Sequence, residues 1–406
     1  MMKNKGKYSI ISSETLKIIE RNEMMTTPLL ENDTIELNSK QVRNIAIEIV
    51  MSKFEMQING YKYTQNEIWD TILYASASNK TVNYTCMKLE NAPSCSLLYT
   101  YMKDKALKDL SLDEIEKRCN DMIISTLPSR LDNCQQKVAI DLVLIPYYGD
   151  EETKDIRRSQ AKKSTTKFFC YASAYLIKKN KRVTLCFTFV LPSDTLFDVL
   201  KRVLSMVSNL GIQIKRLYLD REFARTDIIK YLTEQPYVSV LPIPKKGNEL
   251  KSLLKRKESY KTSYTMNSVK YGSVTFPLWI ACRYSKGKHN KHGVVMLPYA
   301  VIGDCKSNAL EISDEYEHRF GIESSYRLMN QARARTSSSD SSFRLLLVGI
   351  AFTLVNLWVY LKWFALLTSR MRGTYFDDNQ FPLALFCDFL CEEIKKTYGF
   401  VLAIKL

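Results

Sequence analysis

Between Asp314 and Arg335, five polar side chains recur every three or four residues: Tyr316, Arg319, Glu323, Arg327 and Asn330. At helical pitch they share one face, with Phe320, Ile322, Leu328 and Met329 to either side. A carboxylate with a guanidinium one turn before it and another one turn after it can hold a metal ion or clamp a phosphate. A surface helix laced with i,i+4 ion pairs, each worth about 0.2–0.5 kcal/mol, has the same pattern. Two aspartates far upstream shift the balance. Asp141 is embedded in the apolar run VAIDLVLIPYY from Val138 to Tyr148, and Asp220 stands directly after a strand-like run ending at Leu219. An acid inside an apolar strand is costly unless charge or hydrogen bonds compensate. Hard cations held by carboxylates supply that compensation: Mg²⁺ binds through one or two carboxylates together with waters or phosphate oxygens. Two such ions about 3.5–4 Å apart serve phosphoryl transfer. The plainer alternative is an Asp141 salt-bridged to a lysine and an Asp220 that caps a helix.

The elements that must position these acids are readable from periodicity. Val138–Tyr148, Phe168–Ile177 and Arg182–Leu191 read as strands, the last two joined at Lys178–Lys181 as a hairpin. Ser193 and Asp194 are placed to cap a helix through Leu196, Val199, Val203 and Val207 that ends at Gly211. A strand from Ile212 to Leu219, a helix from Phe223 to Leu232 and a strand from Tyr237 to Ile243 follow. A hairpin-led sheet followed by α/β alternation is the layout of an RNase H-like domain, with the first strand beside the fourth. The expected class is therefore α/β: an RNase H-like domain over 135–244 and 304–370, with a β-rich basic insertion over 245–303. A small all-α domain over 39–130 precedes it, with a Thr64-x-x-Glu67 capping box inside. Its short helices suit a DNA reader of helix-turn-helix type. Residues 1–38 read as a flexible lead and 371–406 as a partly helical tail.

The chain has 406 residues, 46% hydrophobic and 25% charged, which fits a folded protein with room for two or three domains. Its 59 Lys and Arg against 43 Asp and Glu give a net charge of +16, so a nucleic acid or an anionic membrane surface is the expected partner. Much of the excess lies in the insertion, where Lys245, Lys246, Lys255, Arg256 and Lys257 cluster. They suit phosphate contact or form a merely solvated face. The ten cysteines form no C-x-x-C pair, and no apolar leader precedes them. They read as reduced thiols of a cytoplasmic protein. The spacing of Cys282, His289, His292 and Cys305 matches no common zinc module. Leu345–Leu361 carries no charge and is barely long enough to span a bilayer, yet Lys362 and Asn356 interrupt it. We read it as a buried core helix rather than a membrane span.

Taken together, AIDLVLIPYYGD around Asp141, LYLDREF around Asp220 and YEHRFGIESSYR around Glu323 resemble the DDE transposases of prokaryotic insertion sequences. The similar branch carries a β insert before the catalytic glutamate and a Tyr-x2-Arg-x3-Glu signature, here Tyr316, Arg319 and Glu323. The resemblance covers roughly Val138 to Leu367. It implies that Asp141, Asp220 and Glu323 are catalytic and bind two Mg²⁺ (or Mn²⁺) ions. It also implies cleavage of double-stranded DNA at element ends and attack of the freed 3′-OH on target DNA, by a homodimer on paired ends in the cytoplasm at the nucleoid. Tyr316 and Arg319 would contact DNA near the cut, Arg327, Arg333 or Arg335 would supply a further phosphate contact in place of the family's lysine, and Trp279 would be placed to stack on a flipped base, although a strand-core role suits it as well. The chain departs from the signature at Asn330, where the family has a lysine. A catalytically inactive DNA-binding protein of transposase descent is therefore the alternative.

Overall fold

A computed structural model describes residues 37–58, 62–127, 135–150, 155–177, 183–286, 292–365, 368–370, 373–375 and 381–401. Residues 1–36 of the expected lead over 1–38, the Lys178–Lys181 turn and His289 lie outside these. The described residues divide into two compact units, one built from 37–127 and 327–401 and the other from 135–326.

The first unit is mainly helical. It begins with helices α1 (Ser39–Met51), α2 (Gln65–Ala77), α3 (Val82–Lys88), α4 (Cys95–Tyr101) and α5 (Leu112–Ile124), with a π-helical turn at Met102–Ala106 after α4. Their starts are fixed by side-chain caps. Asn38 with Gln41 and the expected Thr64 with Glu67 form reciprocal capping boxes, each satisfying two otherwise unpaired backbone donors. Trp69, Ile72 and Leu73 of α2 are fully buried.

Two later helices complete this unit, α11 (Ser341–Ala365) and α12 (Leu383–Tyr398). The long apolar run Ser341–Lys362 has the length and composition of a membrane span, but most of it is buried. Leu345, Leu346, Ile350 and Leu357 are buried, and the helix packs against α5, α2, α1 and α12. Its packing places it with the N-terminal helices, not with the sheet unit to which the segment 304–370 is expected to belong.

The second unit is a mixed α/β structure around one sheet. Its elements run β1 (Gln136–Pro146), β2 (Arg157–Lys162), β3 (Thr165–Leu176), β4 (Thr184–Val190), α6 (Leu196–Asn209), β5 (Ile214–Leu219), α7 (Thr226–Thr233) and β6 (Val238–Pro242). They continue as α8 (Asn248–Leu253), β7 (Tyr260–Ser268), β8 (Gly272–Lys286), β9 (His292–Ile302), α9 (Ala309–Glu317), a 3-10 turn (His318–Phe320) and α10 (Gly321–Gln331), within which the boundary to the first unit falls. Strands β1 and β3 pair antiparallel, and β3 also pairs with β4. Strands β1, β5 and β6 are mutually parallel neighbours.

The basic insertion is not a detached module. Its strand β9 pairs antiparallel with β6 and carries β8 and β7 outward, so the three strands extend the same sheet. Trp279 of β8 is buried, as a strand-core aromatic would be, with the Lys261 ammonium 3.6 Å from its ring centre. Helix α6 starts one residue later than the expected cap. Thr195 and Asp198 close the capping box, while Asp194 accepts from the Leu191 amide and from Arg202.

Candidate active site

Side chains alternate along β1 so that every second residue faces the same side. The parallel pairing of β1 with β5 matches Val138 to Leu217, Ala139 to Tyr218 and Ile140 to Leu219. The next residue on each strand is an aspartate, so Asp141 and Asp220 stand level at the carboxyl end of β5. Asp141 lies within the strand opposite Ser173 of β3, and Asp220 immediately follows its own. Open α/β sheets bind ligands beyond the carboxyl ends of parallel strands; Asp220 is at such a position, and Asp141 stands level with it inside β1.

The two acids share one cation. Arg319 donates from Nη1 to Asp141 at 3.0 Å and from Nη2 to Asp220 at 3.3 Å. The same Nη2 is 3.9 Å from a carboxylate oxygen of Glu323. Arg319 is only 3% exposed, and its guanidinium lies 5.1 Å from the centre of the Tyr316 ring. Tyr316 is 6% exposed, packs on Tyr218 and Tyr299, and donates its hydroxyl to the Leu219 carbonyl at 3.1 Å. Tyr316 and Arg319, the residues expected to contact DNA, are thus both buried here. Both side chains turn inward, because two acids at the end of an apolar sheet need a cation beside them. The helix expected to run unbroken from Asp314 to Arg335 is divided at the 3-10 turn His318–Phe320, which contains Arg319.

Burial pushes the Asp141 carboxyl up to about 6, partly opposed by Arg319 and reinforced by the negative charge of Asp220. The Leu142 amide donates to Asp141 at 2.8 Å, and Tyr326 donates to its backbone carbonyl at 2.8 Å. Tyr326 also lies 3.0 Å from the Ser173 hydroxyl. It fixes the strand segment carrying Asp141 from across the sheet. Tyr326 went unrecognised in the sequence, although it sits three residues after Glu323 on the same face.

Glu323 itself points outward, with its side chain 55% exposed. Arg327 is exposed as well. Asn330, the departure from the signature, is engaged locally: its side chain accepts from Arg333 at 3.3 Å and its carbonyl accepts from Asn79. Lys245, Lys246, Lys255, Arg256 and Lys257 are all exposed around α8, away from any strand core. Lys245 and Lys246 follow β6, at the same end of the parallel strands as Asp220. Of the cysteines weighed as zinc ligands, Cys305 accepts from Arg216 at 3.3 Å and Cys282 donates to the Lys257 carbonyl at 3.1 Å.

The donor chemistry suits a hard divalent cation. Asp141, Asp220 and Glu323 offer only carboxylate oxygens around one positive charge, and Mg²⁺ needs only one or two such ligands beside water and phosphate. Among the described residues, no three His, Cys, Asp or Glu side chains come together as a group that could hold a metal ion. The acids instead meet at the Arg319 guanidinium, with Glu323 the farthest from it.

No protein-family model and no curated protein match the sequence. Among solved structures, the chain is similar to the cryo-EM structure of a piggyBac transposase synaptic complex with hairpin DNA. The TM-score is 0.47 at 13% sequence identity, over 94% of this chain and 76% of that one.

Proposed function

We propose that this chain is a DDE-type transposase, cleaving DNA at the ends of an insertion element and joining the freed 3′-OH to target DNA. The observation that carries the reading is the register of β1 on β5, which sets Asp141 level with Asp220. The strand order β4-β3-β1-β5-β6, with β1 antiparallel to β3 and parallel to β5, supports an RNase H-like domain. The sequence signature Tyr316, Arg319 and Glu323 supports the transposase branch of that fold.

Asp141, Asp220 and Glu323 would hold two Mg²⁺ (or Mn²⁺) ions, which in phosphoryl transfer activate the attacking oxygen and stabilise the leaving one. The protein's own groups do the positioning. Arg319 orients the two aspartates and favours the charged form of Asp141, and Tyr326 pins the backbone under Asp141. Glu323, exposed and one turn from Arg319, is free to swing toward the aspartates. Arg327 and the cluster Lys245, Lys246, Lys255, Arg256 and Lys257 would bind the duplex through its phosphates, a salt-sensitive contact without sequence preference. The helical segment 39–127 would read the element ends, and a homodimer would hold the paired ends at the nucleoid in the cytoplasm.

Purified protein incubated with element-end DNA and Mg²⁺ should nick or cut at the ends, and Asp220→Asn should abolish the cleavage. Cleavage by Asp220→Asn at the wild-type rate would refute the site. A second reading, a DNA-binding protein of the same descent without catalysis, is favoured by Asn330. Tight end binding with no cleavage in either Mg²⁺ or Mn²⁺ would select it.

A further inference from the structure

The eleven residues RRSQAKKSTTK from Arg157 to Lys167 contain five cations and no carboxylate. They fold as the hairpin of β2 and the start of β3, turning at Lys163 and Ser164, both of which have positive φ. Arg158, Lys162 and Lys163 are exposed. The register sets Arg158 directly opposite Lys167, a like-charge pair of the kind that weakens a hairpin in isolation. Lys167 is anchored to the Gly149 carbonyl, and Tyr148, 68% exposed, donates to the Lys163 carbonyl at 2.9 Å. The remaining side chains of the stretch are, except for Ala161, all hydrogen-bond donors of the kind that contact phosphate and sugar.

Topology fixes where this hairpin lies. Because β3 runs antiparallel to β1, with Phe168 opposite Pro146, the hairpin projects from the carboxyl end of β1. That is the end of the sheet at which Asp220 and Lys245 follow their strands. At about 3.3 Å per residue, it begins roughly 17 Å beyond Asp141. The aspartates thus stand between two basic features, the hairpin on the β2 edge and the cluster around α8 after β6.

From this we infer that the 157–167 hairpin is a second docking surface for the nucleic-acid backbone, gripping the duplex on the flank of the acids opposite α8. The class of partner rests on the proposed function. The hairpin's part in binding rests on its own charge and placement. A polyanion in this position would span the acids with phosphate contacts on both flanks.

The test is the triple variant Arg158→Gln, Lys162→Gln, Lys163→Asn, asparagine being chosen because it tolerates the positive φ at that turn. Binding of a generic 30-base-pair duplex is measured by fluorescence anisotropy in EDTA over a NaCl series, so that cleavage plays no part. The expected result is at least a tenfold weaker affinity at 100 mM salt and a salt dependence shallower by about 0.9 for each of three lost phosphate contacts. The charge-preserving variant Arg158→Lys, Lys162→Arg should bind as wild type does. Unchanged affinity and salt slope in the triple variant would overturn the inference. So would unchanged binding accompanied by self-association, which would assign the charges to protecting an open sheet edge. Equal loss of binding to anionic vesicles, with DNA binding intact, would overturn it in favour of a membrane surface. Cleavage that persists while the variant binds normally would sink the hairpin and leave the proposed function standing. Hairpin-dependent binding without any cleavage would do the reverse.

Discussion

Arg319 donates to Asp141 at 3.0 Å across 178 residues of chain, and the same guanidinium reaches Asp220 at 3.3 Å. It is the built-in counterion of the site. Removing one partner of a largely buried pair leaves an uncompensated charge, which costs about 3–5 kcal/mol in buried settings. The Asp141 side chain keeps 16% exposure, so about 3 kcal/mol is the expected loss for Arg319→Ala in EDTA, read by urea denaturation. The vacated position leaves the carboxylates without their cation, so Mn²⁺ should raise the melting temperature of Arg319→Ala more than that of wild type. Equal melting temperatures for the two proteins in EDTA would remove the counterion role.

Glu323 offers the complementary test. Its side chain is 55% exposed and only 3.9 Å from Arg319, so it contributes little to the fold. Glu323→Gln should leave stability within about 0.5 kcal/mol of wild type. Mn²⁺ affinity, read by calorimetry, and DNA cleavage should both fall at least tenfold. A variant that binds Mn²⁺ as tightly as wild type would exclude Glu323 from the metal site.

The acids and their strands were legible because an aspartate inside VAIDLVLIPYY violates the apolar pattern around it. Their level placement was not, since register depends on pairing between segments 79 residues apart, and the match of Ile140 to Leu219 appears only in the fold. The stripe from Tyr316 to Asn330 misled in one respect. Periodicity assumes an unbroken helix, whereas the 3-10 turn at His318–Phe320 shifts the phase and takes Arg319 inward. Strand β2 was invisible because RRSQAK, on an exposed edge, has no apolar alternation to betray it. The long apolar helix was correctly read as buried, but composition alone could not say which helices it packs against.

Glu315 predicts the acid limb of stability for the sheet unit. Arg216 and Tyr218 donate to one of its oxygens, and Lys137 lies 3.2 Å from the other. Burial pushes this carboxyl up, but the Tyr218 hydrogen bond and the charges of Arg216 and Lys137 outweigh it and hold it below its ordinary value. A carboxylate depressed in the folded state stabilises above its unfolded value, and that stability is lost as pH falls through the folded one. The contribution should therefore be complete at neutral pH, begin to fall away near the unfolded value of about 4.3, and be gone once pH has passed the depressed folded one. Glu315→Gln is expected to cost about 1–2 kcal/mol at pH 7 and to narrow its gap from wild type between pH 5 and 3. A gap that stays constant across that range would contradict the linkage.

In the helical unit the corresponding anchor is Asp70, which is fully buried in α2. Arg43 of α1 donates to both of its oxygens, Nε at 3.1 Å, and Tyr398 at the end of α12 donates to it at 2.6 Å. One carboxylate therefore ties the neighbouring helices α1 and α2 to α12, whose Tyr398 lies 328 residues further along the chain. Tyr398→Phe preserves the ring and leaves Arg43 as the partner, so the loss should be about 1–2 kcal/mol, the cost of one charged hydrogen bond. Asp70→Ala removes the centre of the network and should cost more, about 3 kcal/mol or above. Because both donors act on the same acid, the double change Arg43→Ala, Tyr398→Phe should differ from the sum of the single changes by at least 0.5 kcal/mol. Strict additivity in denaturation experiments would mean that the two donors stabilise the unit independently and that Asp70 does not couple α1 to α12.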